Sequence, residues 1–282
     1  MISQLNAESI RAPISGLPRE KLDFLEVFSE IESTNSYLLE QAAPPPGRFR
    51  VALAEHQTAG RGRMGNQWHS PPSSGVCLSM SYTFSASPEL LSCLTLAVGI
   101  AAIEALEKLG ARGIGLKWPN DLIVRDGKLG GVLTEVRSTV GKGVAVVIGI
   151  GINYDLRGIP NMRKIAAKVG HVSSLADCMN GMPSRCTVST ALIEGLFNAL
   201  AEFEADGFGR FERAWDKHDW LRGQKVEIDG SGGRAAGVCQ GIDSDGALIM
   251  QTATGRQRIT SGSVNFSGQT TGQPVGRPGS HT

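Results

Sequence analysis

Alternation between apolar and polar residues predicts strands over much of the chain before Trp220. Side chains of a strand point to opposite faces in turn, so alternating or short continuously apolar runs are typical of strands. The predicted strands are 23–32, 49–54, 76–84, 115–118, 122–125, 130–137 and 144–153. Helical spacing predicts helices over 37–42, from Pro88 and Glu89 to about Leu109, from a cap at Thr187 to about Asp206, and over 208–218.

The sequence after Trp220 changes in character. Short β-prone segments separated by Gly, Asp and Ser predict a small SH3-like barrel, with strands at 225–228, 236–242, 247–251 and 256–260. Asp126-Gly127 and Asp245-Gly246 predict tight hairpin turns. The expected organisation is an irregular lead-in over 1–21, a larger domain over 22–220, an SH3-like domain over 221–267 and a disordered tail over 268–282.

Composition excludes some functional classes. The 282 residues include 28 Lys plus Arg and 27 Asp plus Glu, a net charge of +1, which argues against a protein that mainly binds nucleic acid through phosphates. The five cysteines are widely spaced and form no Cys-x-x-Cys pair, so reduced thiols are expected rather than disulfides or a zinc site. The N-terminus lacks an apolar signal-peptide core and the run 144–152 is too short to span a bilayer, which predicts a cytoplasmic protein.

Glycine and arginine alternate in the segment between Glu55 and Trp68. Glycine lets a ligand approach the backbone closely, and successive exposed N–H groups can form an anion-binding concavity. Arg61 and Arg63 add forked donors that suit phosphate oxygens. A flexible surface loop, or a segment resembling RNA-binding Arg-Gly repeats, fits this pattern as well as an anion site does.

Two further stretches place a lysine beside polar or small residues. Lys117-Trp118-Pro119-Asn120-Asp121 lies between two predicted strands, and Gly127-Lys128-Leu129-Gly130-Gly131 lies at a predicted turn. The second is not a phosphate loop, because Leu129 stands where that motif needs Ser or Thr. Taken alone, the first stretch is slightly more typical of a loop with one ordinary ion pair, and the second is more typical of a solvated turn lysine.

The order of the motifs is more specific than any one of them. Ser33-Thr34-Asn35, by itself a helix N-cap, precedes the glycine–arginine segment, the two lysine stretches and Gly149-Ile150-Gly151-Ile152-Asn153. In this order they closely resemble the biotin–protein ligase family, from about Asp23 to Phe266. The resemblance implies an α+β fold: a mixed β-sheet with packed helices, like the catalytic core of class II synthetases, followed by a small C-terminal SH3-like β-barrel.

The resemblance also implies roles for the motif residues. Those expected to hydrogen-bond the biotin head group are Ser33, Thr34 and Gln57, and those expected to line its channel are Gly60, Arg61, Gly131 and Gly149. Arg63 and Lys128 are the expected catalytic residues, which hold the biotin carboxylate and the α-phosphate. The expected ATP contacts, besides Arg63, are Trp68, Lys117, Asn120 and Asn153, and Asp121 is the candidate for Mg²⁺.

The implied activity is that of a ligase forming C–N bonds. Biotin is activated with ATP and Mg²⁺ as biotinyl-5′-AMP and transferred to a lysine of the biotin carboxyl carrier protein of a biotin-dependent carboxylase. Only 32 residues precede Ser33, fewer than the roughly 60 that a further domain needs, so we expect the form without a DNA-binding domain. Neither DNA nor membrane is an expected partner, whereas a homodimer is compatible with the family.

Three departures weaken parts of the pattern. Met64 and Asn66 stand where the family often carries arginine, and Ser263-Val264-Asn265-Phe266-Ser267 lacks a basic residue that some relatives have.

Two other functions stay open. A lipoate–protein ligase shares the fold and the adenylate chemistry, and an RNA-binding module would use the Arg-Gly segment. Aromatic residues make up only 6% of the chain, which disfavours the RNA-binding module because bases stack on aromatic side chains.

Overall fold

The computed structural model describes residues 4–85, 91–140, 143–159, 170–230 and 233–266. These residues form two β-sheets and six α-helices, and the predicted α+β fold is confirmed. Within the described ranges, no helix is both long and apolar enough to cross a membrane. The predicted helix start at Pro88 and Glu89 and the predicted tail over 268–282 lie outside the described residues.

The larger sheet has seven strands in the order β1-β2-β3-β7-β6-β5-β4. Strands β1 and β2 are parallel and all other neighbours are antiparallel, so the sheet is mixed. Its strands are β1 (Leu22–Phe28), β2 (Phe49–Ala54), β3 (Gly75–Phe84), β4 (Gly115–Lys117), β5 (Asp121–Val124), β6 (Gly127–Val140) and β7 (Gly143–Asn153).

Helices cover both faces of this sheet. They are α1 (Ala7–Arg11), α2 (Gly16–Lys21), α3 (Thr34–Glu40), α4 (Leu94–Lys108), α5 (Arg185–Asp206) and α6 (Gly209–His218). Alternation along β2 separates the faces: Val51 and Leu53 belong to the main core with α4 and α5, whereas Ala52 contacts Leu38 of α3. The candidate site lies on the α3 face, because Ala52 pairs with Ser79 and Ser79 with Gly149 across the sheet.

The smaller sheet is antiparallel throughout, in the order β11-β10-β9-β8-β12. Its strands are β8 (Lys225–Gly230), β9 (Gly233–Ile242), β10 (Leu248–Thr252), β11 (Gly255–Ile259) and β12 (Ser263–Phe266). The sequence pattern did not predict β12, which pairs with β8. The indole nitrogen of Trp118 donates to the Gly246 carbonyl 3.0 Å away, which ties the two sheets together.

Two local predictions about helices are wrong. The lead-in expected to be irregular contains α1 and α2, and α1 begins with an Asn6 side chain that accepts from the Ser9 N–H at 2.9 Å. Ser184 rather than Thr187 caps α5: its hydroxyl accepts the Thr187 N–H at 3.1 Å, so the helix starts earlier than predicted.

The first predicted hairpin turn is displaced by one residue. The turn residues are Arg125 and Asp126, with φ values of 46° and 63°, and Gly127 already pairs with Val124 as the first residue of β6. Left-handed φ at both central residues is the geometry of a tight type I′ hairpin. Gly127 is required for a different reason, since a Cβ there would overlap the Ser173 side chain.

Candidate active site

A cavity of about 200 Å³ opens on the α3 face of the larger sheet, between the glycine–arginine segment and β12. Most of the residues predicted from the sequence line it: Ser33, Thr34, Gln57, Arg61, Arg63, Trp68, Lys117, Asn120, Asp121, Lys128, Gly131 and Gly149. Gly60 and Asn153 do not line it. Residues far apart in the chain are therefore brought together around one space, as the motif order predicted.

One end of the cavity carries a network of neutral hydrogen-bonding groups. The Thr34 N–H and hydroxyl both donate to Gln57 Oε1, at 2.8 and 3.1 Å, and the Thr34 hydroxyl lies 2.7 Å from that of Ser79. Ser33 caps α3 through the Ser36 N–H at 3.4 Å. Buried polar groups held in this way suit a small, largely apolar ligand with a polar head.

Sequence reasoning missed two members of this network, Asn35 and Ser79. The Ser79 hydroxyl donates to Asn35 Oδ1 at 2.5 Å, and both residues are buried. A signal was present: Ser79 interrupts the apolar strand β3, and a buried polar residue needs a partner.

Two glycines of β7 are fixed by side chains that lie directly on the strand. A Cβ at Gly149 would overlap the Asn35 carboxamide, and one at Gly151 would overlap the indole ring of Trp68. Gly131 of β6 pairs with Gly151 of β7. A Cβ added at Gly131 would stand 3.4 Å from Asp121 Oδ1, which is an ordinary contact. Absent side chains thus let Asn35 and Trp68 form the cavity walls.

The other end of the cavity is charged. Lys128 Nζ lies 2.7 Å from Asp121 Oδ1 and 5.7 Å from the centroid of the Trp68 ring. Arg63 donates to Asn120 Oδ1 at 3.3 Å. Both cations therefore belong to one cavity, and each has a polar partner that fixes its direction.

Burial changes the acidity of two cations at this end. It lowers the pKa of Arg63, against the opposing effect of the Asp121 carboxylate. It also lowers the pKa of Lys117, where Asp121 acts to raise it and the Lys128 ammonium to lower it further. The Arg63 guanidinium stays charged at neutral pH, because the ordinary pKa of arginine is far above 7.

The stretch from Lys117 to Asp121 is held against β6 by Asn120. Its backbone carbonyl accepts the Val132 N–H and its side chain donates to the Val132 carbonyl, both at 2.9 Å. The peptide bond between Trp118 and Pro119 is cis. Asn120 therefore links this turn, the sheet and Arg63.

Gly60 and Asn153 support the cavity from outside. The Gly60 carbonyl accepts the Trp68 N–H at 2.9 Å and closes the base of the glycine–arginine segment. The Asn153 side chain donates to the carbonyls of Lys128 and Ser173, both at 3.0 Å. Asn153 thus fixes the backbone that carries Lys128.

The smaller sheet contributes Gly262, Ser263 and Val264 to the cavity lining. Met64 is 73% exposed, and its sulfur accepts from the Ser263 hydroxyl at 3.6 Å. The contact between the glycine–arginine segment and the smaller sheet is therefore uncharged at Met64, a position where the family that the motifs resemble often has arginine.

Comparison with known proteins identifies the family. Residues 27–153 match the Biotin/lipoate A/B protein ligase family, and residues 223–267 match the Biotin protein ligase C terminal domain. The chain is 31% identical to the biotin–[acetyl-CoA-carboxylase] ligase of Paracoccus denitrificans, over 86% of this chain and 100% of that protein. The chain belongs to the biotin protein ligase family.

Other members of this ligase family agree with the assignment. The chain is 33% identical to the bifunctional ligase/repressor BirA of Escherichia coli, over 89% of this chain and 74% of that protein. The biotin protein ligase of Aquifex aeolicus in complex with biotin and ATP superposes with a TM-score of 0.72 at 27% identity. That likeness covers 87% of this chain and all of the Aquifex chain (100%), so it includes both sheets.

Proposed function

We propose that this chain is a biotin–protein ligase. It activates biotin with ATP to biotinyl-5′-AMP and transfers the biotinyl group to a lysine of a biotin carboxyl carrier protein. The observation that carries the proposal is that Arg63 and Lys128, from distant stretches of chain, line one cavity whose far end holds the Thr34–Gln57 network. The cavity thus offers a cationic end for two anions and a neutral polar end for a head group.

The charges explain the first step. Biotin's carboxylate and the α-phosphate of ATP are both anionic and repel each other. Arg63 and Lys128 hold them together and stabilise the charge that develops as a carboxylate oxygen attacks phosphorus. The new bond joins that oxygen to the α-phosphorus, the bond from the α-phosphorus to the bridging oxygen breaks, and pyrophosphate leaves.

The second step needs access from outside. A neutral lysine amine of the carrier attacks the carbonyl carbon of the adenylate, the C–N bond forms, and AMP leaves while the amine loses its proton. Lys128 and Arg63 keep the phosphate of the departing AMP neutralised. The nitrogen becomes cationic as the C–N bond forms, and its proton then passes to solvent.

The remaining site residues orient the substrates, most of them from the cavity lining and Asn153 from outside it. Ser33, Thr34 and Gln57 take the biotin head group. The backbone at Gly131 lets the bicyclic ring lie against the sheet, beside the Asn35 carboxamide that covers Gly149. Trp68, Lys117, Asn120 and Asn153 serve the nucleotide, the last through the position of the Lys128 backbone.

A magnesium ion fits this site only together with ATP. Among the described residues, no group of three or more His, Cys, Asp or Glu side chains could hold a metal. Mg²⁺ is commonly held by one or two carboxylates plus substrate phosphates, and Asp121 is a carboxylate on the cavity wall. When bound, the ion would supply positive charge to the phosphate oxygens.

Biotin and lipoate incorporation should be compared directly, because the matching family includes ligases for both. The protein would be incubated with Mg-ATP, a biotin carboxyl carrier domain and a lipoyl domain, each with labelled biotin or labelled lipoate. The match of residues 223–267 to the Biotin protein ligase C terminal domain favours biotin. Label on the carrier domain from biotin alone supports the proposal, and label from lipoate alone contradicts it.

A further inference from the structure

The carboxylate of Glu135 stands at the rim of the cavity. Residues two apart in a strand share a face, so Gly131, Leu133 and Glu135 of β6 form one row. Gly131 and Leu133 line the cavity, and Glu135 continues the row beyond it. Nothing in the proposed chemistry uses this carboxylate.

Glu135 has partners on two other elements. Its two oxygens accept from the two terminal nitrogens of the Arg61 guanidinium, at 2.7 and 3.1 Å. One of them also accepts from Asn35 Nδ2 at 2.9 Å. A bidentate arginine–carboxylate pair fixes orientation as well as distance. One side chain of the sheet therefore holds both the glycine–arginine segment and the start of α3.

The glycine–arginine segment is itself a small hairpin. Arg61 pairs with Gln67, the Gly62 N–H donates to the Asn66 carbonyl at 2.7 Å, and the Trp68 N–H donates to Gly60 at 2.9 Å. We call residues 60–68 the arginine hairpin. Because these bonds are internal, they shape the hairpin without fixing its position over the cavity.

The two arginines of the hairpin point to different partners. Arg61 reaches the rim at Glu135, whereas Arg63 reaches the cavity floor at Asn120. Moving the hairpin outward would remove Arg63 and the Trp68 ring from the cavity together. The pair between Arg61 and Glu135 is therefore placed to control the position of both.

We propose that Glu135 is a positioning residue, which holds the arginine hairpin over the cavity through Arg61 and holds Asn35 against Gly149. It does not contact the reacting atoms. Its effect on catalysis rests on the proposed function, whereas its effect on the hairpin does not. Loss of the carboxylate frees Arg61, so the hairpin is then held by its ends and by the contacts of Arg63, Met64 and Trp68.

The test compares Glu135→Gln with the wild-type protein by limited trypsin digestion and by steady-state kinetics. Glutamine keeps an acceptor for Asn35 but loses the charge that pairs with Arg61. Glu107→Gln is the matched control. The side chain of Glu107 is 24% exposed, close to the 21% of Glu135, and it pairs with Lys217 at 2.9 Å, away from the cavity. Circular dichroism melting checks that each variant is folded.

Trypsin cleaves after Arg61 and Arg63, so cleavage there reports directly on the hairpin. We expect Glu135→Gln to be cleaved roughly tenfold faster at these bonds, the scale of a lost hydrogen bond to a charged group. The KM for biotin should rise with a smaller change in kcat, because a positioning residue acts on the population of the closed hairpin. Glu107→Gln should match the wild type in both measurements.

Two outcomes separate this proposal from the proposed function. Unchanged cleavage and unchanged KM in Glu135→Gln would overturn the positioning role while leaving the ligase activity in place. Faster cleavage in Glu135→Gln, in a preparation whose wild type forms no adenylate, would support the positioning role and overturn the ligase assignment. A second variant, Arg61→Lys, should repeat the faster cleavage at Arg63, since lysine cannot form the bidentate pair.

Discussion

Lys128 Nζ lies 2.7 Å from Asp121 Oδ1, and both side chains are partly exposed inside the cavity. An ion pair open to water contributes little stability, so separating it costs little. The ammonium is thus held in place by the carboxylate yet remains available to an incoming phosphate. This geometry supports the role proposed for Lys128 at the charged end of the cavity.

Replacing either cation at this end should abolish most adenylate formation. We expect Lys128→Ala and Arg63→Ala each to slow it by roughly 10²–10³, the scale for removing one fixed donor to a developing charge. Biotin-dependent exchange of labelled pyrophosphate into ATP measures this step alone. Lys217→Ala, which removes a surface lysine paired with Glu107, is the control and should exchange at the wild-type rate. Wild-type exchange in a folded Lys128→Ala protein would remove Lys128 from the mechanism.

Adding a methyl group at two glycines of β7 should affect different substrates. Gly149→Ala overlaps Asn35, so we expect a higher KM for biotin; Gly151→Ala overlaps Trp68, so we expect a higher KM for ATP. Each should also lower the free energy of unfolding by about 1–3 kcal/mol, as overpacking does. Gly209→Ala is the control, because a Cβ there meets nothing within 4 Å. Equal effects of Gly149→Ala and Gly151→Ala on both substrates would contradict the division of the cavity into two ends.

The buried pair between Arg185 and Glu55 should be important for stability. Arg185 is fully buried at the start of α5 and meets both oxygens of Glu55, at 2.7 and 2.9 Å. Arg185→Ala leaves the Glu55 carboxylate, which is only 13% exposed, without its cation, so we expect a loss of about 3–5 kcal/mol in the free energy of unfolding measured in urea. Arg157→Ala breaks an equally short pair with Asp155, at 2.6 Å, but Arg157 is 72% exposed. Arg157→Ala should lower the free energy of unfolding by no more than about 1 kcal/mol. A similar decrease in both variants would show that burial is not what makes the Arg185 pair important.

Alkaline pH should weaken the contact between α3 and β1. The hydrogen bond from Tyr37 to Glu26 raises the pKa of Tyr37 to about 12, with burial acting in the same direction and Arg50 opposing it. A raised pKa in the folded state means that the stabilisation is complete below the ordinary value of 10.0 and is lost as pH rises towards about 12. Tyr37→Phe should therefore lose less free energy of unfolding over this range than the wild type. Parallel pH profiles for the two proteins would contradict the assignment.

Hydrophobic patterning predicted most of the larger sheet because its strands are strongly apolar. The strand Phe49–Ala54 matches the prediction residue for residue, and β7 begins one residue earlier than expected. The hydrophobic pattern failed to predict elements that are stabilised mainly by tertiary contacts. Ile10 of α1 is fully buried, and its carbonyl accepts from Thr190 of α5, so packing against α5 supports a five-residue helix that periodicity could not detect. Strand β12 was missed because only Val264 of its described side chains is buried.

The site was predictable as a set of residues but not as an arrangement. Motif order placed Arg63 and Lys128 together, but it did not predict that Asn153 supports the Lys128 backbone or that Gly60 closes the base of the hairpin. Glu135 belongs to no motif and lies among ordinary strand residues. Only the register of β6 against β7, and the reach of Arg61, bring it to the rim.

Mass spectrometry of a biotin carboxyl carrier domain tests the central claim most directly. The domain would be incubated with this protein, biotin and Mg-ATP, and parallel reactions would omit ATP or use Arg63→Ala. The account predicts the mass of one added biotinyl group on a single lysine, dependent on ATP and largely lost in the variant. A carrier domain of unchanged mass after incubation with the folded wild-type protein would contradict it.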